Sequence, residues 1–190
     1  YEDCYFATQA NSPELLTWLD DSVSAGGRRD LKVIQLDDTG TVLSETEVLG
    51  GFLREVRLPD MDVSSTVPGT FSFVVVPERI RVAGGTGASA VTPVVKAIRQ
   101  NAFRVDLANI DGTGFATVRG MRVVFDKVPA TPLGARLQFQ PGAAHAGDVS
   151  FEILTTRPTD DDLDTWIGEA ATGGLTPRSG DVRLLSPDFR

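Results

Sequence analysis

A chain of 190 residues, 41% of them hydrophobic, is long enough for one or two packed domains, and no apolar run approaches the roughly 18 residues that a membrane span needs. The formal net charge of −8 argues against a surface that grips nucleic-acid backbone, which needs clustered Lys and Arg. The single cysteine, Cys4, excludes an internal disulfide framework, and no basic segment with an apolar stretch stands at the start, so no signal peptide is expected.

Most segments read as strands. Ser12-Pro13-Glu14 opens a short helix that carries Trp18, with proline at the favoured first helical position. Leu31 to Leu36 and Thr41 to Leu49 alternate around the polar turn Asp37-Asp38-Thr39-Gly40, which predicts a hairpin. Leu58 to Ser65 reads as irregular, because proline and acidic residues disfavour a central strand. Phe71 to Val76 is the most strand-like run and stops at Pro77.

Residues 83–101 read as a joint. Gly84 to Ser89 is flexible in composition, and Thr92-Pro93 opens a short helix. Further strands are expected at Phe103 to Leu107, Phe115 to Val118, Met121 to Phe125, Arg136 to Phe139 and Val149 to Leu154, with turns at Asp111 to Gly114 and Arg119-Gly120. Thr159 is a good N-cap, and Asp160, Asp161 and Asp162 suit the positive end of the helix it starts. Leu163, Trp166 and Ile167 then fall on one helical face.

The two tryptophans sit in one pattern. Leu15-Leu16-Thr17-Trp18-Leu19 aligns with Leu163-Asp164-Thr165-Trp166-Ile167, and Phe6-Ala7-Thr8 aligns with Leu154-Thr155-Thr156. Downstream, Arg28 to Ile34 aligns with Arg178 to Leu185 after a short insertion. The repeat distance is about one domain, so tandem duplication of a domain is the simplest reading.

Several motifs in fixed order resemble the tail-tube proteins of contractile phages and phage-tail-like injection particles, related in fold to Hcp of type VI secretion. Phe103, Val105 and Leu107 fit the first strand motif of that family, and Phe115, Val118, Gly120 and Met121 the second. Gly147 to Phe151, Thr159-Asp160-Asp161 and Trp166-Ile167 follow in the family's order. Arg28-Arg29-Asp30 with Asp37 to Gly40, and then Leu58-Pro59-Asp60-Met61-Asp62-Val63-Ser64-Ser65, resemble its last strand, turn and loop. The chain departs from the pattern at Gly50-Gly51-Phe52-Leu53, and the order is rotated, with the family's C-terminal half first. A window on a tandem protein and a single permuted barrel both give such an order, and the second Trp helix favours the tandem.

The resemblance implies a mainly β chain of tube-type, Hcp-like β-barrel or sandwich domains, each with a short Trp-bearing helix. Residues 1–82 would be the C-terminal half of a first domain, 83–101 a linker, and 102–190 the N-terminal part of a second. The implied role is structural: inner tube, or an initiator, hub or terminator ring at its end. The chain would pair with itself as a hexamer or a pseudo-hexameric trimer and meet tube, sheath, baseplate or terminator proteins. DNA or an effector would pass the lumen without specific binding, and no membrane is implied. The setting would be a virion tail or injection particle assembled in a bacterial or archaeal cytoplasm. Leu58, Pro59, Asp60, Asp62, Ser64 and Ser65 are the expected ring or stacking contacts, with Arg119 and Gly120 as a tight turn.

Competing chemistry is weaker. Gly85-Thr86-Gly87-Ala88-Ser89-Ala90 satisfies G-x-G-x-x-A, yet no doubly wound alternation follows it. A Ser-His-Asp triad would depend on His145, the only histidine, which reads as an exposed loop residue. One cysteine and one histidine cannot build a structural zinc site, and Cys4 reads as a small buried apolar residue. The acidic run at 160–164 lacks the glycine and closing glutamate of a calcium loop. With aromatics at 7%, no aromatic-rich cleft supports paired glycosidase carboxylates. Both tryptophans read as core. No enzyme, cofactor or metal is therefore expected, and the alternative function is a monomeric domain binding a small ligand or carbohydrate.

Overall fold

The computed structural model describes residues 2–9, 13–85, 87–88, 97–107, 114–130, 138–154, 161–174 and 176–185, with the backbone alone at Asp161. The expected caps at Ser12 and Thr159, the helix at Thr92-Pro93 and the turn at 111–113 lie outside them, as do Asp160, Arg136, Leu137 and Thr86, Ser89 and Ala90 of the G-x-G-x-x-A segment. The described chain is mainly β, with antiparallel sheets and two helices, and divides into two compact units.

The first unit comprises Tyr1–Leu58, Thr70–Lys96 and Arg122–Gly147. Its elements are β1 (Cys4–Thr8), α1 (Pro13–Ala25), β2 (Arg28–Leu36), β3 (Val42–Arg57), β5 (Phe71–Val76), β6 (Arg79–Gly84), β9 (Arg122–Pro129) and β10 (Phe139–Ala146). The strands form one open sheet in the order β1-β5-β3-β9-β10, with β2 and β6 flanking the first part of β3. Among the described residues no sheet closes into a barrel: the path ends at β1 and β10, each of which pairs with one neighbour alone. That corrects the expectation of a barrel.

β3 runs through Gly50-Gly51, where the sequence places the end of a strand. The run continues because the register shifts at Asp30, between the pairs Arg29↔Gly51 and Leu31↔Val48. Gly50 adopts φ +60°, which glycine allows at little cost. Asp30 Oδ1 accepts its N–H at 2.7 Å, and Arg28 Nη1 donates to its carbonyl at 2.7 Å. Both polar groups left unpaired by the bulge are thus met by β2 side chains. On the other edge, β5 and β6 follow one another along β3 with a break at Pro77-Glu78, and Glu78 N–H donates to Leu49 O.

Helix α1 buries Leu15, Trp18 and Ser22, the i, i+3, i+7 stripe of one face. The sheet contributes the buried Val48, Phe52, Leu53, Val56, Phe71, Val75 and Phe125 to the core. Trp18 Nε1 donates to Gly27 O at 3.0 Å, so the indole is buried without an orphaned donor. Cys4 is half-buried on β1, so the small-core-residue reading holds only in part, and burial pushes its thiol up. Asp3, just before β1, is largely buried and bound by Lys127 at 2.8 Å and by Arg54. Burial opposes its charge, but those two bonds outweigh it and hold the carboxyl below the ordinary range.

The second unit comprises Pro59–Gly69, Ala97–Met121 and Asp148–Arg190. It holds β4 (Met61–Asp62), β7 (Phe103–Leu107), β8 (Phe115–Arg119), β11 (Ser150–Ile153), α2 (Asp161–Ala171) and β12 (Gly180–Leu184). One small sheet runs β11-β8-β4 and another pairs β12 with β7. Met61, Val105, Phe115 and Val118 are buried together, with Phe151, Leu163, Trp166 and Val182 packed against them. Ile167 is 57% exposed, which corrects its placement with Leu163 and Trp166: positions i and i+3 reach the core here, and i+4 has rotated out.

Strands β9 and β10 lie beyond the expected joint at 83–101, yet they belong to the first unit. The reason is pairing of Glu55, Val56 and Arg57 with Val124, Val123 and Arg122. His145 lies on β10, not in a loop, and is exposed as expected.

A side chain at position 50 would need positive φ and would meet Glu78 Oε2 at 2.6 Å. Gly50→Ala should lower stability by about 1–3 kcal/mol, read as a shifted urea midpoint. Trp18→Phe keeps most of the ring but orphans the Gly27 carbonyl. It should cost about 1–3 kcal/mol, and an unchanged midpoint would show that the hydrogen bond contributes nothing.

Candidate assembly surface

Five of the six sequence-selected loop residues and the Arg119-Gly120 turn come together in the second unit. Leu58, half-buried, is the last residue of the first unit's opening segment. Pro59 is buried, and Gly69 leaves room for it: a Cβ at 69 would lie 2.9 Å from the proline Cβ. The run expected to be irregular contains β4, which pairs with β8 through Met61↔Val118 and Asp62↔Thr117. A buried methionine thus anchors a loop that composition alone marks as non-strand.

Polar side chains hold the rest. Asp62 Oδ1 accepts from Ser64 N at 2.8 Å and from Ser64 Oγ at 2.6 Å, and Ser65 N donates to Asp62 O at 3.0 Å. Ser65 Oγ contacts Gln100 Oε1 at 2.6 Å and accepts from Val67 N at 3.2 Å. Gly120 has φ +83°, and its N–H donates to Asp60 Oδ1 at 3.3 Å. A Cβ there would stand 2.6 Å from Asp148 O, so glycine is required by space as well as by φ. Arg119 is exposed and reaches Glu152 at 3.9 Å. The loop is therefore preordered by its own chain. It presents Asp60, Val63, Ser64 and Val67 outward, with Val63 48% and Val67 58% exposed.

The Ser64 hydroxyl, then its N–H, and the charge of Arg119 hold the Asp62 carboxyl below the usual carboxylate range, against a small desolvation effect.

A second surface escaped the sequence reading. Within the first unit, β2, the first part of β3, and β6 form a three-stranded arm. The register places Leu31, Val48 and Ile80 in one row, and Val33, Thr46 and Val82 in the next, all on one face. Val48 and Val42 are buried, but between them Val33 is 42% and Val82 71% exposed. The opposite face carries the cross-strand ion pairs Lys32–Glu45 at 2.5 Å and Arg81–Glu47 at 3.4 Å. Period-2 alternation in Leu31 to Leu36 was visible in sequence; the flanking of β3 by two strands was not.

Among the described residues β1, β2, β6 and β10 each leave one edge unpaired. Such edges template pairing with another chain. The β10 edge is interrupted by a register shift at Pro141 to Ala144, which weakens it as a template.

Other chemistry finds little footing. His145 Nε2 lies 3.1 Å from Asp126 Oδ2 on the exposed β9–β10 pair. No group of three or more metal-ligating side chains occurs among the described residues, and no described helix is long and apolar enough to cross a membrane. No protein-family model matches the chain, and neither a curated protein nor a solved structure matches it.

Because the Asp62 value is depressed on folding, its contribution to stability is present above the unfolded carboxylate pKa, about 3.9. It is lost as the pH falls through the folded value. Asp62→Asn should accordingly be less stable than the parent at neutral pH, with the two urea midpoints converging in acid. A pH-independent gap would assign the cost to geometry instead of charge.

Proposed function

We propose that the chain is an architectural subunit that assembles with copies of itself into a ring, as the resemblance to tail-tube proteins of contractile tails and injection particles implies. The observation that carries this reading is the arm: among the described residues its three strands have two open edges, and Val33 and Val82 stand exposed on one face. A surface of that kind is an aggregation liability in a monomer and is retired when copies cover it. Closed symmetry would make the pairing finite.

The two tryptophan helices support tandem duplication of a tube-type domain. Each follows one strand and precedes another, and each indole donates to a carbonyl in the loop after its helix: Trp18 to Gly27, and Trp166 to Thr176 at 3.1 Å. A duplicated chain forms a pseudo-sixfold ring from three copies; an unduplicated one needs six. Tube, sheath, baseplate or terminator proteins are the neighbours this role implies, with DNA or an effector protein passing through. The role is non-enzymatic and belongs to a virion tail or injection particle assembled in the bacterial or archaeal cytoplasm.

Mass photometry with negative-stain class averages tests the reading on the purified chain. Rings of three or six copies are expected, and the copy number separates duplicated from single domains. Val33→Asp with Val82→Asp places two charges on the exposed arm face, so the fold should survive while rings dissociate. A monomer at every accessible concentration would sink the ring and bring the small-ligand or carbohydrate-binding domain to the front.

A further inference from the structure

Strand β1 adds little to the core that it borders. None of its five residues is buried, whereas Phe71, Val74, Val75 and Val76 of its neighbour β5 are. Tyr5 is 77% exposed. Among the described residues β1 pairs with β5 alone, from Cys4↔Val75 to Thr8↔Phe71. Phe6 stacks on Phe73, with centroids 5.1 Å apart and planes at 17°. A strand with so little buried area opens at low free-energy cost unless something else holds it.

Asp3 supplies that hold. It stands immediately before β1, and its side chain is only 9% exposed. Two cations from other strands meet its carboxylate: Lys127 of β9 at 2.8 Å, and Arg54 of β3. Arg54 falls at the register shift between Leu53↔Val75 and Glu55↔Val74, so it reaches Asp3 from a bulge in β3. Lys127 Nζ also lies 4.3 Å from the Phe139 ring centroid, a second contact that fixes its position. Without the Asp3 charge, two cations would face the start of β1 with no counter-ion. Truncating a largely buried charge pair costs more than losing an exposed one.

We propose that β1 is a displaceable cover over the β5 edge, latched at its start by Asp3, and that it opens while β3, β5 and β9 stay folded. Opening bares the edge of Phe71–Val76, whose freed N–H and C=O groups template pairing with another strand. The latch uses no residue of the arm, so it stands or falls without the ring reading.

Native-state amide exchange on the full chain at neutral pH, with urea added below the unfolding transition, tests this. The β1 amides should be less protected than those bonded between β3 and β5. Their exchange should also respond less to urea, because a local opening exposes little surface. Asp3→Asn keeps the shape and removes the charge, and should lower β1 protection about tenfold. Phe125→Leu weakens the buried core behind β9 and should lower protection between β3 and β5 while leaving β1 within about twofold, because that core stays folded when β1 opens. If Asp3→Asn fails to fold, Arg54→Met, which leaves Lys127 in place, is read in the same direction. Equal protection and equal urea response of β1 and the β3–β5 ladder overturn the proposal, because β1 then opens only with the whole unit. Unchanged β1 protection in Asp3→Asn, or in Arg54→Met where that variant stands in for it, overturns the latch.

Discussion

The first unit depends on one strand being able to change partners midway. β3 pairs with β2 and β6 in its first part and with β5 and β9 in its last, across 16 residues. An uninterrupted strand would carry one pair of neighbours along its length. The bulge at Gly50 breaks the register, and the Asp30 and Arg28 side chains satisfy the backbone groups that the break exposes. Arg28 also stacks over the Phe52 ring at 5.3 Å and donates to Phe139 O, so one guanidinium links β2, β3 and β10. Arg28 and Asp30, which resemble a family strand motif in sequence, thus form the chemistry of a bulge.

The same bend separates two regimes of burial. Beyond Gly50, Phe52, Leu53 and Val56 lie in the core against β5. Before it, the strand is flanked on both edges, and the buried Val42 and Val48 bracket the exposed Val33 and Val82. A protein that exposes Val33 and Val82 on a strand face with open edges either risks aggregation or covers that face with another copy. The ion pairs of the opposite face are partly solvated and contribute little net stability.

In the second unit, polar bonding replaces area. Among its described residues the central cluster is small, Met61, Val105, Phe115 and Val118 with partly buried neighbours, and the 59–65 loop is held by Asp62, Ser64, Ser65 and Gln100 as well as by Met61.

Much of the local structure was legible in the residues. Strand-like runs located Phe71 to Val76, Phe103 to Leu107 and Phe115 to Val118, and the Asp37 to Gly40 turn is closed by the Asp37 carboxylate. Helical spacing also placed Trp18 in a core, because an amphipathic stripe has one face to bury. The loop and turn at 59–65 and 119–120 were marked by proline, glycine and acidic residues, but not their meeting, since a bond such as Asp60 to Gly120 joins positions 60 residues apart. Pairing partners, the bulge at Gly50, the open sheets and the arm were decided by tertiary structure alone. Strand periodicity states which residues share a face, whereas which edges meet depends on contacts between distant segments that no local pattern encodes.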